Sequence, residues 1–93
     1  MKRYELDTIY DSKHSFYSKA MVEVEDNGNK VLLSYGHEVV RIRDGKPYLT
    51  TAWNASQTTL RHVKEFLKQE GISAGSLSKK DIAEFFKDKI EEE

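Results

Sequence analysis

The chain has 93 residues, with 15 Lys or Arg against 16 Asp or Glu, one proline and no cysteine. A chain of this length barely encloses one hydrophobic core, which excludes two full domains. The absence of cysteine excludes disulfides, thiolate nucleophiles and cysteine-bound zinc. No apolar run approaches the ~20 residues that span a bilayer, and the polar N-terminus is not typical of a signal peptide. We therefore expect a small cytoplasmic domain that makes no use of a membrane.

Alternating apolar and polar residues predict four antiparallel strands, at residues 16–25, 30–35, 38–43 and 46–53. A weaker alternation over residues 4–10 is typical of a short strand or an extended arm. Asn27-Gly28 and Asp44-Gly45 lie between predicted strands and favour type I′ hairpin turns, which need two positive φ angles. Pro47 cannot donate to a ladder, so the fourth strand is predicted at a sheet edge.

The apolar period becomes helical after Asn54. Leu60, Val63 and Leu67 share one helical face, and Asn54 or Ser56 can cap the start. Gly71, followed by an apolar residue, predicts a Schellman ending.

A serine-rich connector over residues 73–78 precedes a second helix. Ser78 and Asp81 have the spacing of a capping box at its start. One apolar stripe is predicted along this helix: Ile82, Phe85, Phe86 and Ile90.

Together these elements predict an α+β fold, in which a four-stranded antiparallel β-meander packs on one α-helix and a short C-terminal amphipathic helix follows. Residues 1–72 are predicted to form the α+β domain, and residues 73–93 the connector and C-terminal helix. The charges divide into a neutral sheet region, a basic helix and an acidic tail. The basic helix and the acidic tail could pair with each other or with an outside partner.

Recognised catalytic and cofactor motifs are missing from the sequence. It contains neither glycine-rich phosphate motif, GxGxxG or GxxxxGK[ST]. His14, His37 and His62 lie in different predicted elements without the i,i+3 or i,i+4 spacing of metal ligands. The hydroxyl and carboxylate groups around Asp11 and Ser15 are expected to bond to their own backbone rather than to form a nucleophilic triad. We therefore predict a protein that is not an enzyme and holds neither metal nor cofactor.

The polar face of the first helix is the first candidate binding surface. Arg61, Lys64 and Lys68 recur there at helical spacing, which suits phosphates or an acidic protein. In the alternative interpretation, Glu65 pairs with Arg61 or Lys68 and the face is an ordinary solvated surface.

Aromatic residues are the second group of candidates. Tyr17 and Tyr48 have polar neighbours on their strand faces and are expected to be exposed. Trp53, at the end of the predicted edge strand, suits either the core or an anchor for a partner. Phe85 and Phe86 lie on the second helix, whose apolar stripe requires packing or a partner.

Three stretches carry a resemblance to known sequences: YDSKHSFYSKA at residues 10–20, LSYG at residues 33–36 and SQTTLRHVKEFLKQ at residues 56–69. They resemble a family of small uncharacterised proteins encoded by phages and mobile elements of Gram-positive bacteria. The likeness covers about residues 10–70 and leaves out the C-terminal helix. It implies an accessory protein of a mobile element, and it transfers no catalytic or binding residue.

The leading hypothesis is a non-enzymatic protein-interaction module, engaged through a sheet edge, the outer sheet face or the helix that carries Phe85 and Phe86. The alternative is a nucleic-acid-binding accessory protein that uses the basic face of the helix at residues 56–70. Homodimerisation through the edge strand or the second helix is a further expectation.

Overall fold

Six strands and two helices account for the regular structure in the computed structural model, which describes residues 1–93. The elements in chain order are β1 (Lys2–Glu5), β2 (Ala20–Val24), β3 (Lys30–Ser34), β4 (His37–Arg43), β5 (Lys46–Thr50), α1 (Gln57–Gln69), α2 (Lys79–Phe85) and β6 (Ile90–Glu91). A single 3-10 turn, Ser73–Ser76, links the two helices. The α+β class is confirmed, but the sheet is larger than the predicted four-stranded meander.

The six strands form one mixed sheet in the order β1-β2-β3-β4-β5-β6. Strands β1 to β5 are antiparallel neighbours, whereas β6 runs parallel to β5. Strand β1 gave only a weak sequence signal because most of its residues are exposed. Strand β6 gave none, since it has two residues in a charged segment. Because β6 covers part of β5, the prediction that the fourth strand is an open edge is correct only near Pro47.

The two turns predicted as type I′ differ in their backbone φ angles. Asp44 and Gly45 have φ angles of 52° and 78°, as a type I′ turn requires. The prediction for Asn27-Gly28 is wrong, because only Gly28 has a positive φ, at 91°. Asn27 Oδ1 instead accepts from the N–H of Asn29, which stabilises a longer, bulged turn.

The predicted strand over residues 16–25 begins later, at Ala20. Tyr17 and Ser18 have φ angles of 51° and 63°, which are incompatible with a strand. The Glu5 carboxylate accepts from the Ser18 N–H at 2.9 Å and so stabilises this turn. Phe16 precedes the turn and is buried in the core.

Both ends of α1 follow the predicted capping pattern. Ser56 Oγ accepts from the N–H of Thr59 at 3.0 Å, which identifies Ser56 as the N-cap. At the other end, the Ile72 N–H donates to Leu67 and the Gly71 N–H to Lys68, the two bonds of a Schellman motif. These bonds set the two ends of α1.

Helix α1 covers the core face of the sheet. Val22, Leu32, Val40 and Leu49 occupy facing positions on neighbouring strands and are fully buried. From α1 the core receives Val63, Phe66 and Leu67.

Helix α2 completes this core but is shorter than its apolar stripe suggested. Ser78 caps its start through the Asp81 N–H. Ile82 and Phe86 are fully buried in the same core cluster. The helix ends at Phe85, and Ile90 lies in β6, so the stripe predicted through Ile90 is wrong at its last position.

A close approach fixes the 3-10 turn against the exposed side of α1. A Cβ at Gly75 would lie 2.9 Å from the Lys64 carbonyl oxygen and 2.8 Å from the Lys68 backbone nitrogen. Only glycine fits this approach, since a side chain would overlap the helix backbone. The 3-10 turn therefore lies directly beside Lys64 and Lys68. Neither helix has the length and apolar character needed to cross a bilayer.

Candidate protein-binding site on helix α1

The segment between β1 and β2 folds over α1 and is held there by one carboxylate. Glu65, only 1% exposed, accepts from the backbone N–H groups of Ile9, Tyr10 and Asp11 at 2.7–3.3 Å. The side chain of Gln69, one helical turn further on, donates to the same carboxylate and to the Asp7 carbonyl. Four donors from two segments thus converge on Glu65.

This arrangement explains how a charged side chain can be buried without a cationic partner. A buried carboxylate is strongly unfavourable unless hydrogen bonds replace its hydration shell. Backbone N–H groups that donate to a charged acceptor form stronger hydrogen bonds than neutral pairs do. The predicted pairing of Glu65 with Arg61 or Lys68 is wrong, because its carboxylate faces the loop backbone.

The loop anchored by Glu65 presents two exposed apolar side chains. The Ile9 residue is 67% exposed and Tyr10 is 58% exposed, although the backbone N–H group of each donates to the buried Glu65 carboxylate. Lys64 and Lys68 lie beside Tyr10 on α1 and take part in no ion pair. We call these four residues the loop–helix patch.

Two shallow depressions meet at this patch. One, of about 370 Å³, lies between Tyr10 on the loop and Lys64 and Lys68 on the helix. The other, of about 390 Å³, is lined by Tyr10, Lys68 and Ile72 and extends to the 3-10 turn. Tyr10 and Lys68 line both, so they form one groove with an aromatic wall and a basic wall.

Arg61 belongs to the same face but is already engaged. Its Nε donates to Asp11 at 3.2 Å, and its Nη2 donates to Ser12 at the same distance. Of the three predicted basic residues, Lys64 and Lys68 are therefore available to a partner, whereas Arg61 holds the loop.

A buried histidine lies on the core side of α1 beneath this loop. His62 is fully buried, and its Nδ1 lies 2.7 Å from Ser34 Oγ. Its ring contacts the rings of Phe16 and Tyr35, and its Nε2 has no hydrogen-bond partner. Burial lowers the pKa of His62 from 6.5 to about 4, against a smaller opposing effect of Asp11. This burial was not predicted, because His62 lies between basic residues of the polar helix face.

The other histidines and the residues around Asp11 and Ser15 do not come together at one site. His14 and His37 are exposed. No group of three or more His, Asp or Glu side chains is placed to hold a metal ion. Asp11 Oδ1 accepts from the Lys13 N–H, and Ser15 Oγ accepts from the Tyr17 N–H. The expectation that these groups bond to local backbone is thus confirmed.

The predicted aromatic candidates are dispersed over the molecule. Tyr17 is exposed in the turn before β2, and Tyr48 is half-buried with Arg43 over its ring at 4.4 Å. Trp53 lies in a turn after β5 and is buried in the core, so it cannot anchor a partner. Phe86 is also buried, and only Phe85, at 50% exposure, faces solvent from the predicted pair.

The acidic tail binds to the sheet and not to the basic helix. Glu91 forms ion pairs with Arg41 and Arg43 of β4, on the sheet face opposite α1. Its hydrogen bonds with Arg43 and then Arg41 lower the pKa of Glu91 to about 2. The suggestion that the tail and the basic stripe serve each other is therefore wrong.

Comparisons with known proteins place the chain in a family but supply no activity. No curated protein and no solved structure matches the chain. Residues 4–84 match the model of a family of unknown function, DUF8033. Because this match covers most of the chain, from β1 to α2, the protein belongs to the DUF8033 family.

Proposed function

We propose that the protein is a non-enzymatic interaction module, and that its loop–helix patch binds an acidic segment of a protein partner that carries an apolar anchor. The presentation of Ile9 and Tyr10 by a loop fixed on a buried carboxylate is the observation that supports this proposal. A fixed loop loses little conformational entropy on binding, so its exposed side chains contribute more of their contact energy to affinity.

Charge complementarity defines the partner's chemistry. Lys64 and Lys68 are unpaired beside Tyr10, and acidic groups of a partner would meet them at the groove wall. Tyrosine is enriched among the residues that contribute most of the binding energy at protein–protein contacts.

Nucleic-acid binding is the competing function. Proteins that bind nucleic acid through phosphates use many cations, whereas this groove has two unpaired lysines in a chain of net charge −1. The family resemblance supports a role as a cytoplasmic accessory protein of a phage or mobile element, and this setting forms part of the proposal.

The test is an NMR titration of the full chain with an acidic peptide, Ac-Glu-Leu-Glu-Phe-Asp-Glu-NH2. We expect shifts of the Tyr10, Lys64 and Lys68 amides, and about tenfold weaker binding in the Lys64→Glu/Lys68→Glu double variant. Lys79→Glu/Lys80→Glu is the matched control, because these exposed lysines lie on α2. It should retain the wild-type affinity.

Two results would contradict the proposal. One is equal binding of the lysine-substituted peptide Ac-Lys-Leu-Lys-Phe-Lys-Lys-NH2. The other is stronger binding of a short DNA duplex than of the acidic peptide, with a steep dependence on salt and loss in the Lys64→Glu/Lys68→Glu variant.

A further inference from the structure

The C-terminal segment of the chain is bound to the sheet as an extended peptide would be. The Leu49 N–H donates to the Lys89 carbonyl at 3.0 Å, and the Thr51 N–H donates to the Glu91 carbonyl at 2.8 Å. Extended peptides bind to other proteins by adding a strand to an exposed sheet edge through such backbone bonds.

Two arginines of β4 add recognition of charge to these backbone bonds. Arg41 and Arg43 both donate to the Glu91 carboxylate. Arg41 also donates to the carbonyl oxygens of Glu92 and Glu93 at 3.1 and 3.2 Å. The arginines thus bind both a glutamate side chain and the backbone that follows it.

This contact has no buried apolar anchor. Ile90 is 38% exposed, and the side chain of Glu91 remains 28% exposed. The segment also lies beyond residues 4–84, which match the family. Backbone bonds and ion pairs at a surface exchange readily with water and salt, so this segment is held far less firmly than the core.

We propose that the β5 edge, with Arg41 and Arg43, is a second binding site, whose ligand is an extended segment of a partner protein with an apolar residue followed by glutamates. The chain's own residues 89–93 occupy the site and compete with that ligand. The proposal is independent of the loop–helix patch, because Arg41 and Arg43 lie on the sheet face opposite α1.

The probe is a fluorescent peptide with the sequence of residues 87–93, Lys-Asp-Lys-Ile-Glu-Glu-Glu. In the wild type the attached tail acts at an effective concentration near ~1 mM, so the peptide should bind weakly. In full-length Glu91→Lys the tail is repelled by Arg41 and Arg43, so the peptide should bind at least about tenfold more tightly. Adding Arg43→Glu should remove this gain, whereas adding Lys64→Glu/Lys68→Glu should preserve it.

Three results would overturn the proposal. The first is a folded Glu91→Lys variant that binds the peptide no better than the wild type. The second is binding that survives Arg43→Glu, or that a Lys-Asp-Lys-Ile-Lys-Lys-Lys peptide reproduces. The third is a concentration-dependent wild-type dimer that Glu91→Lys abolishes, which would assign the edge to self-association.

A measurement on the unmodified chain provides an independent check should Glu91→Lys fail to fold. Excess peptide should displace the tail of the wild type, so that the amides of residues 91–93 shift toward their free positions while the Leu49 amide keeps a hydrogen-bonded shift. No displacement at a peptide concentration well above ~1 mM would overturn the proposal.

Discussion

The loop between β1 and β2 and the C-terminal segment are each held on the rest of the fold by a glutamate carboxylate. The two carboxylates differ in how deeply they are buried. The loop over α1 is held by Glu65, which is buried and accepts from three backbone N–H groups. The C-terminal segment is held through Glu91, which remains partly exposed and pairs with Arg41 and Arg43.

The difference shows how the burial of a charged group determines how often its contacts open. Opening the loop would break several hydrogen bonds to the Glu65 carboxylate at once, and such charge-assisted bonds are stronger than bonds between neutral groups. Breaking the Glu91 contacts returns partly exposed groups to water, which solvates them well, so these ion pairs contribute little to stability. We therefore expect the loop to open only with the fold, and the tail to open by itself.

The largest expected effect is that of Glu65→Ala. It removes the acceptor for three loop N–H groups and should reduce the free energy of unfolding by about 3 kcal/mol, a large part of the stability of a domain this size. Urea denaturation followed by circular dichroism measures it. Glu84→Ala is the matched control, because Glu84 is an exposed helical glutamate, and a similar loss in both variants would contradict the account.

The region around α1 and the C-terminal tail should lose stability at different pH values as acid is added. Because the pKa of His62 is about 4 in the folded chain and 6.5 when unperturbed, the unfolded state binds more protons between these values. Stability is therefore fully present above pH 6.5 and falls by about 3 kcal/mol as the pH drops toward 4.

Stability curves between pH 7 and 4 measure this loss, which His62→Asn should remove and His14→Asn should retain. The pKa of Glu91 is lowered from 4.5 to about 2, so its contribution is lost only as the pH falls from 4.5 toward 2. A single acid transition for the loop and the tail would contradict this separation.

Salt should act more strongly on the tail than on the loop, in which Arg61 and Asp11 form the one ion pair. Raising NaCl from ~0.05 M to ~0.5 M screens the ion pairs of Glu91 and should speed exchange of the Thr51 amide about fivefold. The Tyr10 amide should change little over the same range, because the Glu65 carboxylate is buried. Equal acceleration of both amides would show that screened charges hold the loop as much as they hold the tail.

The smallest expected effect is that of Glu91→Gln on global stability. Since the tail opens independently of the core, the free energy of unfolding should not change measurably. A loss as large as that of Glu65→Ala in the same urea assay would show that the tail is part of the cooperative unit.

The sequence allowed prediction of the elements whose signals are local. The cap at Ser56, the Schellman ending at Gly71 and the turn at Asp44-Gly45 depend on neighbouring residues and are confirmed. The contacts of Glu65 could not be predicted, because its partners lie 54–56 residues away and are backbone groups that any residue carries.

Strand β6 and the role of Glu91 were also beyond prediction. Its sequence is a charged run, and its pairing with β5 depends on how α2 returns the chain to the sheet. Lys64 and Lys68 were found from their helical spacing, whereas their apolar neighbours Ile9 and Tyr10 depend on the loop anchor.

Amide hydrogen exchange of the unmodified chain tests the contrast between the two regions most directly. The amides of Tyr10 and Asp11 should exchange only through global unfolding, with a free energy of opening equal to that from urea denaturation. The amides of Leu49 and Thr51 should exchange faster, through local release of the tail. Equal free energies of opening for both pairs of amides would contradict the account.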